Sequence, residues 1–259
     1  MTLLIGANLN HCTVIAADTR TSWRHPLLGD THTDGDHKIA MCTLGLVTGS
    51  GYVDALDPVK KELLSKEIMH TDQILTIVQQ KALPKIEELR KNNLRIRDKT
   101  CFLLSYCTIS DNAKLLRLAL IHPDWEYKLA FYDSVVVAMP SDSSEEESIK
   151  YNKVVTADLI RLENKEFMAQ ETIAKDILVN LYSNVKSIAK HFHEISKKSK
   201  YVSPDMDFAA LLLNGAIIYG YGESSEIMKG IFRMSVIPPA HQTQFLTPEL
   251  FKKGNKINI

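Results

Sequence analysis

The stretch Met1–Ser22, MTLLIGANLNHCTVIAADTRTS, decides how this chain folds. Leu3, Leu4, Ile5 and Ala7 form one apolar run, and Cys12, Val14, Ile15, Ala16 and Ala17 form a second, with Asn8, Leu9, Asn10 and His11 between them. Two such runs joined by turn-forming residues read as a β-hairpin. Neither run alternates apolar with polar residues, as a half-wet strand does, and near-continuous hydrophobic strands are covered on both faces. The hairpin is therefore expected inside a layered domain. Thr2 precedes its first strand and Asp18 closes its second, positions from which a polar side chain can enter a site while the strand stays packed. These two residues are the first candidates for chemistry.

Outward from the hairpin, the residue pattern supplies the rest of the layers. A polar loop is expected over Trp23–Asp36, followed by a second hairpin, Lys38–Cys42 and Leu46–Thr48 reversing at Thr43-Leu44-Gly45 and ending at Gly49-Ser50-Gly51. Asp57 and Pro58 predict a helix start. A second helix from Thr71 carries Ile74, Leu75, Val78, Ala82, Ile86 and Leu89 on one face, with a kink expected at Pro84. Strand runs follow at Cys101–Ile109, Leu115–Ile121 and Tyr127–Ala138, the first two joined by a turn at Ser110–Ala113 and the last broken near Asp133. Ser144 and Glu147 are spaced as a capping box. Thr172–Lys197 reads as a long amphipathic helix, and Asn214-Gly215 as the turn of a hairpin between Phe208–Leu213 and Ala216–Tyr221. Gly230–Val236 is a further strand before Pro238-Pro239 and a polar tail from about residue 238. Strands, two helices, strands, two helices and strands are satisfied by two sheets between two helical layers, in one domain spanning residues 1–259.

Composition narrows the function classes. Lys plus Arg equals Asp plus Glu, 31 each, which gives no footing for nucleic acid or an anionic membrane surface as partner. No apolar run approaches the roughly 20 residues of a membrane span, so a cytoplasmic protein is expected. Cys12, Cys42, Cys101 and Cys107 lie in apolar runs without metal-site spacing and read as reduced core residues. His32, Asp34, Asp36 and His37 cluster in the polar loop and are read as loop residues; no metal or cofactor is expected. His191 and His193, two apart on a helix, face different directions.

Threonine, strand, turn and the string Val14-Ile15-Ala16-Ala17-Asp18-Thr19-Arg20-Thr21 together resemble the start of catalytic proteasome β-type subunits and their bacterial relatives of the HslV and Anbu types. In that family the aspartate of an A-A-D-[ST]-R string follows the nucleophilic threonine by sixteen residues, as Asp18 follows Thr2. The resemblance implies an α+β, four-layer αββα sandwich, the N-terminal nucleophile hydrolase fold. It also implies a threonine peptidase or amidohydrolase acting on peptide or protein substrates, in which Met1 is removed and the freed α-amino group of Thr2 is the base. No propeptide is expected before the threonine.

By the same resemblance Lys38 is the cation paired with Asp18, provided the alignment is anchored on the second hairpin. A rival alignment, which matches His37-Lys38-Ile39 to a string beyond the family's lysine, leaves Gly35 in its place. Gly51 matches the oxyanion glycine and Ser22 a residue that binds the substrate backbone. Ser141 and Ser143 match two serines of a G-S-G-S turn, although Pro140 and Asp142 replace its glycines. The family's further aspartate is Asp205 or Asp207. A homo-oligomeric ring or stack is implied, and Val53, Ile68, Met69 and Ile77, off the main stripe of the helices over Tyr52–Leu89, are the expected interface. Whether an unfoldase partner serves it is left open. A catalytically silent proteasome-like subunit, acting as scaffold or regulator, is the alternative from a different functional class.

Overall fold

In the computed structural model, which describes residues 2–25, 29–92, 100–110, 113–123, 126–140, 142–162, 170–237 and 255–258, the opening stretch forms the antiparallel hairpin β1 (Leu4–Asn8) and β2 (Cys12–Asp18). Alternate side chains of each strand enter different cores. Leu3, Ile5, Ala7, Cys12, Val14 and Ala16 pack against helical residues such as Val185, Ile188 and Phe192, whereas Leu4, Ile15 and Ala17 pack against Leu103 and Leu118 of a second sheet. Period-two alternation with both faces buried is the reason these strands contain so few polar residues.

Among the described residues the strands form two large antiparallel sheets. The first joins β1 and β2 to β10 (Val135–Ala138), β11 (Asp205–Leu212), β12 (Ile217–Glu223), β13 (Ile231–Ile237) and β14 (Asn255–Asn258), in the order β10-β1-β2-β11-β12-β13-β14. The second runs β5 (Ala40–Cys42), β6 (Gly45–Ser50), β7 (Cys101–Ser110), β8 (Ala113–Ile121) and β9 (Leu129–Tyr132). Over the second sheet lie α1 (Val53–Ser65), α2 (Thr71–Ile77) and α3 (Leu83–Asn92), whose Ala55, Val59, Leu63, Ile74 and Ile86 share a core with Phe102, Leu104 and Ile121. Over the first lie α4 (Glu145–Asp158), α5 (Gln170–Ser196) and the short α6 (Ser224–Met228). Three cores separate four layers, and the order is αββα. Burying one side chain of the size of Phe102 or Phe208 contributes about 1.5–3 kcal/mol, so each interface is held by many comparable increments.

Several local expectations need correction. Trp23–Asp36 is not simply a loop: β3 (Thr21–His25) and β4 (Gly29–Thr33) pair within it as a separate two-stranded sheet, invisible to a hydrophobic pattern because β4 is polar throughout. The first helix starts at Val53 rather than at Asp57, and Pro58 lies inside it. Burial of Ala55, Leu56 and Val59 holds the early turns, which outweighs the one helical hydrogen bond that Pro58 cannot donate. Just before Pro84, which lies in α3, the chain forms a π turn, Val78–Ala82, in which the Leu83 N–H bonds the Val78 carbonyl, five residues back. This widened turn takes up the proline without a break.

The break near Asp133 separates strands of different sheets, β9 and β10. The Asn214-Gly215 reversal is wider than a two-residue turn, running from Leu213 to Ala216, with Gly215 at φ 88°. The polar tail contributes an edge strand, β14, paired with β13; residues 238–254, including Pro238-Pro239, lie outside the described residues, as do Asp111 and Asn112 of the Ser110–Ala113 turn. Ile68 and Ile77, expected on an exposed face, are 2% and 5% exposed and belong to the core, whereas Met69 is 59% exposed. The helices over Tyr52–Leu89 therefore do not present the apolar surface expected of them. The capping box at Ser144 forms in full, with the Glu147 N–H donating to Ser144 Oγ at 3.2 Å and the Ser144 N–H to Glu147 Oε2 at 2.8 Å.

Candidate active site

Thr2, Asp18 and Lys38 meet where the two sheets face each other. Thr2 enters β1, Asp18 ends β2, and Lys38 precedes β5, so three chain segments converge with side-chain-bearing residues that are only 5%, 0% and 8% exposed. The Lys38 ammonium donates to Thr2 Oγ1 at 2.6 Å, to Asp18 Oδ1 at 3.3 Å and, closely, to the Arg20 carbonyl. Its three hydrogens are thus spent on three fixed acceptors. Asp18 also accepts the Leu3 N–H at 2.6 Å and the Arg20 N–H at 2.7 Å. Burial nevertheless holds this carboxyl above the ordinary carboxylate range, opposed first by the charge of Lys38 and then by the two N–H donors. With Lys38 at Thr2, the rival position Gly35 lies exposed in the preceding segment, at φ 97°.

Ser50 is a site residue that the sequence reading missed. The Thr2 nitrogen donates to Ser50 Oγ at 3.0 Å, and the Ser50 hydroxyl donates to the Thr2 carbonyl at 2.8 Å, which ties the start of β1 to the end of β6 across the two sheets. Its signal was its place between Gly49 and Gly51 at the end of the second hairpin. Lys60 of α1 is an amine that desolvation pushes down to about 8, with Asp57 opposing and the Lys38 charge reinforcing.

Gly51 follows Ser50 at φ 133°, and a Cβ there would lie 2.4 Å from Thr100 Oγ1 and 2.5 Å from Thr100 Cα. Both the backbone conformation and the close approach demand glycine. Gly51→Ala is expected to destabilise the fold by about 2–5 kcal/mol from overpacking and backbone strain. Urea unfolding checks this as a fall in midpoint at unchanged slope.

Among the described residues, the remaining candidates make their hydrogen bonds to groups other than Thr2. Ser22 Oγ is engaged with His32 Nδ1 at 2.8 Å across the β3–β4 hairpin. Asp34 forms a two-pronged pair with Arg20, both contacts 2.7 Å, which lowers its carboxyl. Asp207 is fully buried and bonded to His37 and to the Lys38 N–H, and Asp205 is half-buried; among the described residues no hydrogen bond joins either to Thr2. Burial raises the Asp205 carboxyl, with Glu223 and Asp34 adding to it. Ser143 is half-buried in a turn closed by its own N–H to the Pro140 carbonyl, while neighbouring Asp142 accepts the Ser199 hydroxyl. Ser141 lies outside the described residues.

Two facing antiparallel sheets between helical layers make an αββα sandwich, the proteasome-like fold of solved Anbu structures. The solved structures to which this chain is similar include three of Anbu. The Anbu complex from Pseudomonas aeruginosa, solved as a helical assembly, matches 81% of this chain over 81% of its own at 12% identity and a TM-score of 0.52. Anbu, an ancestral β-subunit, from Yersinia bercovieri matches 92% of this chain over 88% of its own at 12% identity, TM-score 0.49, and Anbu from Hyphomicrobium sp. strain MC1 matches 81% over 82% at 16% identity, TM-score 0.43. The fold assignment rests on the first of these and on the layers themselves. No protein-family model and no curated protein matches the sequence.

Proposed function

We propose that this chain is an N-terminal threonine hydrolase that cleaves peptide or amide bonds. The observation that carries the reading is the Lys38 ammonium 2.6 Å from Thr2 Oγ1 while it also contacts Asp18. Removal of Met1 frees the Thr2 nitrogen as an α-amine, whose ordinary pKa of about 7.7–8.0 suits a base near neutral pH. The amine takes the proton from Oγ1 as the oxygen attacks the substrate carbonyl. The proton then passes to the leaving amine, and an ester on Thr2 remains. Water, deprotonated by the same α-amine, hydrolyses that ester and returns the hydroxyl. Lys38 stabilises the developing charge on Oγ1, and the Gly51 N–H is the donor assigned to the carbonyl oxygen. No cofactor enters this scheme. Intact mass and turnover of short peptide amides test it together: an active protein lacking Met1 is expected, and an active protein retaining it overturns the reading.

The acid limb of activity follows from Asp18. Once protonated it no longer pairs with Lys38, and because burial raises its pKa, turnover should fall on acidification at a pH above the ordinary carboxylate range. A pH–rate profile in which Asp18→Asn lowers activity less than Lys38→Ala and removes this limb is the expected result.

The chain is further proposed to act as a homo-oligomer. The Pseudomonas aeruginosa complex is a helical assembly, and here exposed Ile149 and Val154 of α4, Ile160 beyond its end and Val179 of α5 put apolar surface on the outer layer opposite the one expected. Sedimentation should give a species of twice the 29.2 kDa chain mass or more at micromolar concentration; a single monomeric species contradicts it.

A further inference from the structure

Lys38 lies in the irregular segment between β4 and β5, and a side chain reaches a target 2.6 Å away reproducibly only if its own backbone is fixed. What fixes it is a carboxylate from the other sheet. Asp207 of β11, fully buried, accepts the Lys38 N–H at Oδ2 (3.2 Å) and His37 Nδ1 at Oδ1 (2.7 Å), so its two oxygens hold two consecutive residues. The His37 ring is itself packed edge-on against Tyr221 of β12 at 5.2 Å, and the Lys38 carbonyl accepts the Thr48 hydroxyl at 3.1 Å. A buried carboxylate is costly, and one bridging two donors repays its cost only where both are needed.

We infer that the His37–Asp207 pair is a positioning device for Lys38, setting the backbone from which its ammonium reaches Thr2. The inference rests on the hydrolase reading for its kinetic consequence, but its geometric content does not. A carboxylate is acceptor-only on both oxygens. Asp207→Ala removes both acceptors, whereas an asparagine would keep an oxygen for the Lys38 N–H and can donate its NH2 to His37 Nδ1 in the other imidazole tautomer. His37→Phe removes one arm alone, and His37→Asn restores a donor close to the Nδ1 position.

Two measurements on the full chain decide it. In steady-state peptide hydrolysis, Asp207→Ala and His37→Phe should lower kcat by about 10- to 100-fold with KM changed by no more than about twofold, because Lys38 acts on Thr2 rather than on bound substrate. His37→Asn should recover most of the loss. Unchanged kcat in both damaging variants, or a loss confined to KM, overturns the proposal. In NMR spectra of the native protein and Asp207→Ala, with thermal melts to confirm folding, the Lys38 backbone amide should move upfield when its carboxylate acceptor is lost. An unmoved amide also overturns it. If the native protein hydrolyses nothing, the hydrolase reading fails on its own, and the amide shift still decides the clamp.

Discussion

Thr2→Ala is expected to abolish turnover, by roughly a thousandfold or more, while the protein still folds and assembles. The hydroxyl is the only group of Thr2 given a chemical role besides its nitrogen, and Lys38 keeps its contacts with Asp18 and the Arg20 carbonyl without it. Loss of the Oγ1 hydrogen bond and one methyl group costs about 1–2 kcal/mol, too little to unfold a chain with three cores. Thr2→Ser retains the hydroxyl and should keep measurable activity. Kinetics with a short peptide amide, beside a thermal melt of each variant, check both halves; full activity in Thr2→Ala removes the nucleophile from the scheme.

Lys38→Ala should lower activity about as heavily as Thr2→Ala, since residues acting as one unit are not additive. It should also destabilise the fold, by about 3–5 kcal/mol near neutral pH, because Asp18 is left as a buried carboxylate with N–H donors and no counter-charge. The sign of the pH dependence is fixed by the direction of its shift. Burial already raises the Asp18 carboxyl, and loss of Lys38 raises it further. A group with a raised folded-state pKa contributes stability that is present below its unfolded value and lost as pH rises through the folded one. The gap between Lys38→Ala and the native protein should therefore narrow on acidification toward the ordinary carboxylate range. Urea unfolding at several pH values measures this, and a gap that widens on acidification would show that Asp18 is not the group left unpaired.

Much of this arrangement is legible in residue order because it depends on local patterns. Near-continuous apolar runs around Leu4 and Ile15 imply strands covered on both faces, and the strands do divide their side chains between two cores. Strand ends then deliver Thr2 and Asp18 to one place. Ser50 was not legible because its two bonds to Thr2 depend on how one sheet stacks on the other, which no periodicity encodes. The β3–β4 hairpin was hidden because its outer strand is polar, and its pairing is carried by main-chain bonds and contacts such as Ser22 with His32. Ile68 lies in the irregular segment before α2 rather than on a helix, and Ile77 follows buried Ile74 by three residues on the core face of α2, so both belong to the core. Asp207 was legible as a candidate, but its contact with the Lys38 backbone required the register that sets it opposite Ala17.

Thr2, freed of Met1, is the proposed nucleophile. Treating the native protein with an acylating electrophile such as a β-lactone, then measuring intact mass and mapping the adduct by peptide sequencing, tests it most directly. A protein that begins at Thr2 and carries a single acyl group there as an ester on Oγ1 is expected, with no adduct on Thr2→Ala and little on Lys38→Ala. An adduct of equal yield on Thr2→Ala, or one mapped to another residue of an active protein that still carries Met1, would contradict it.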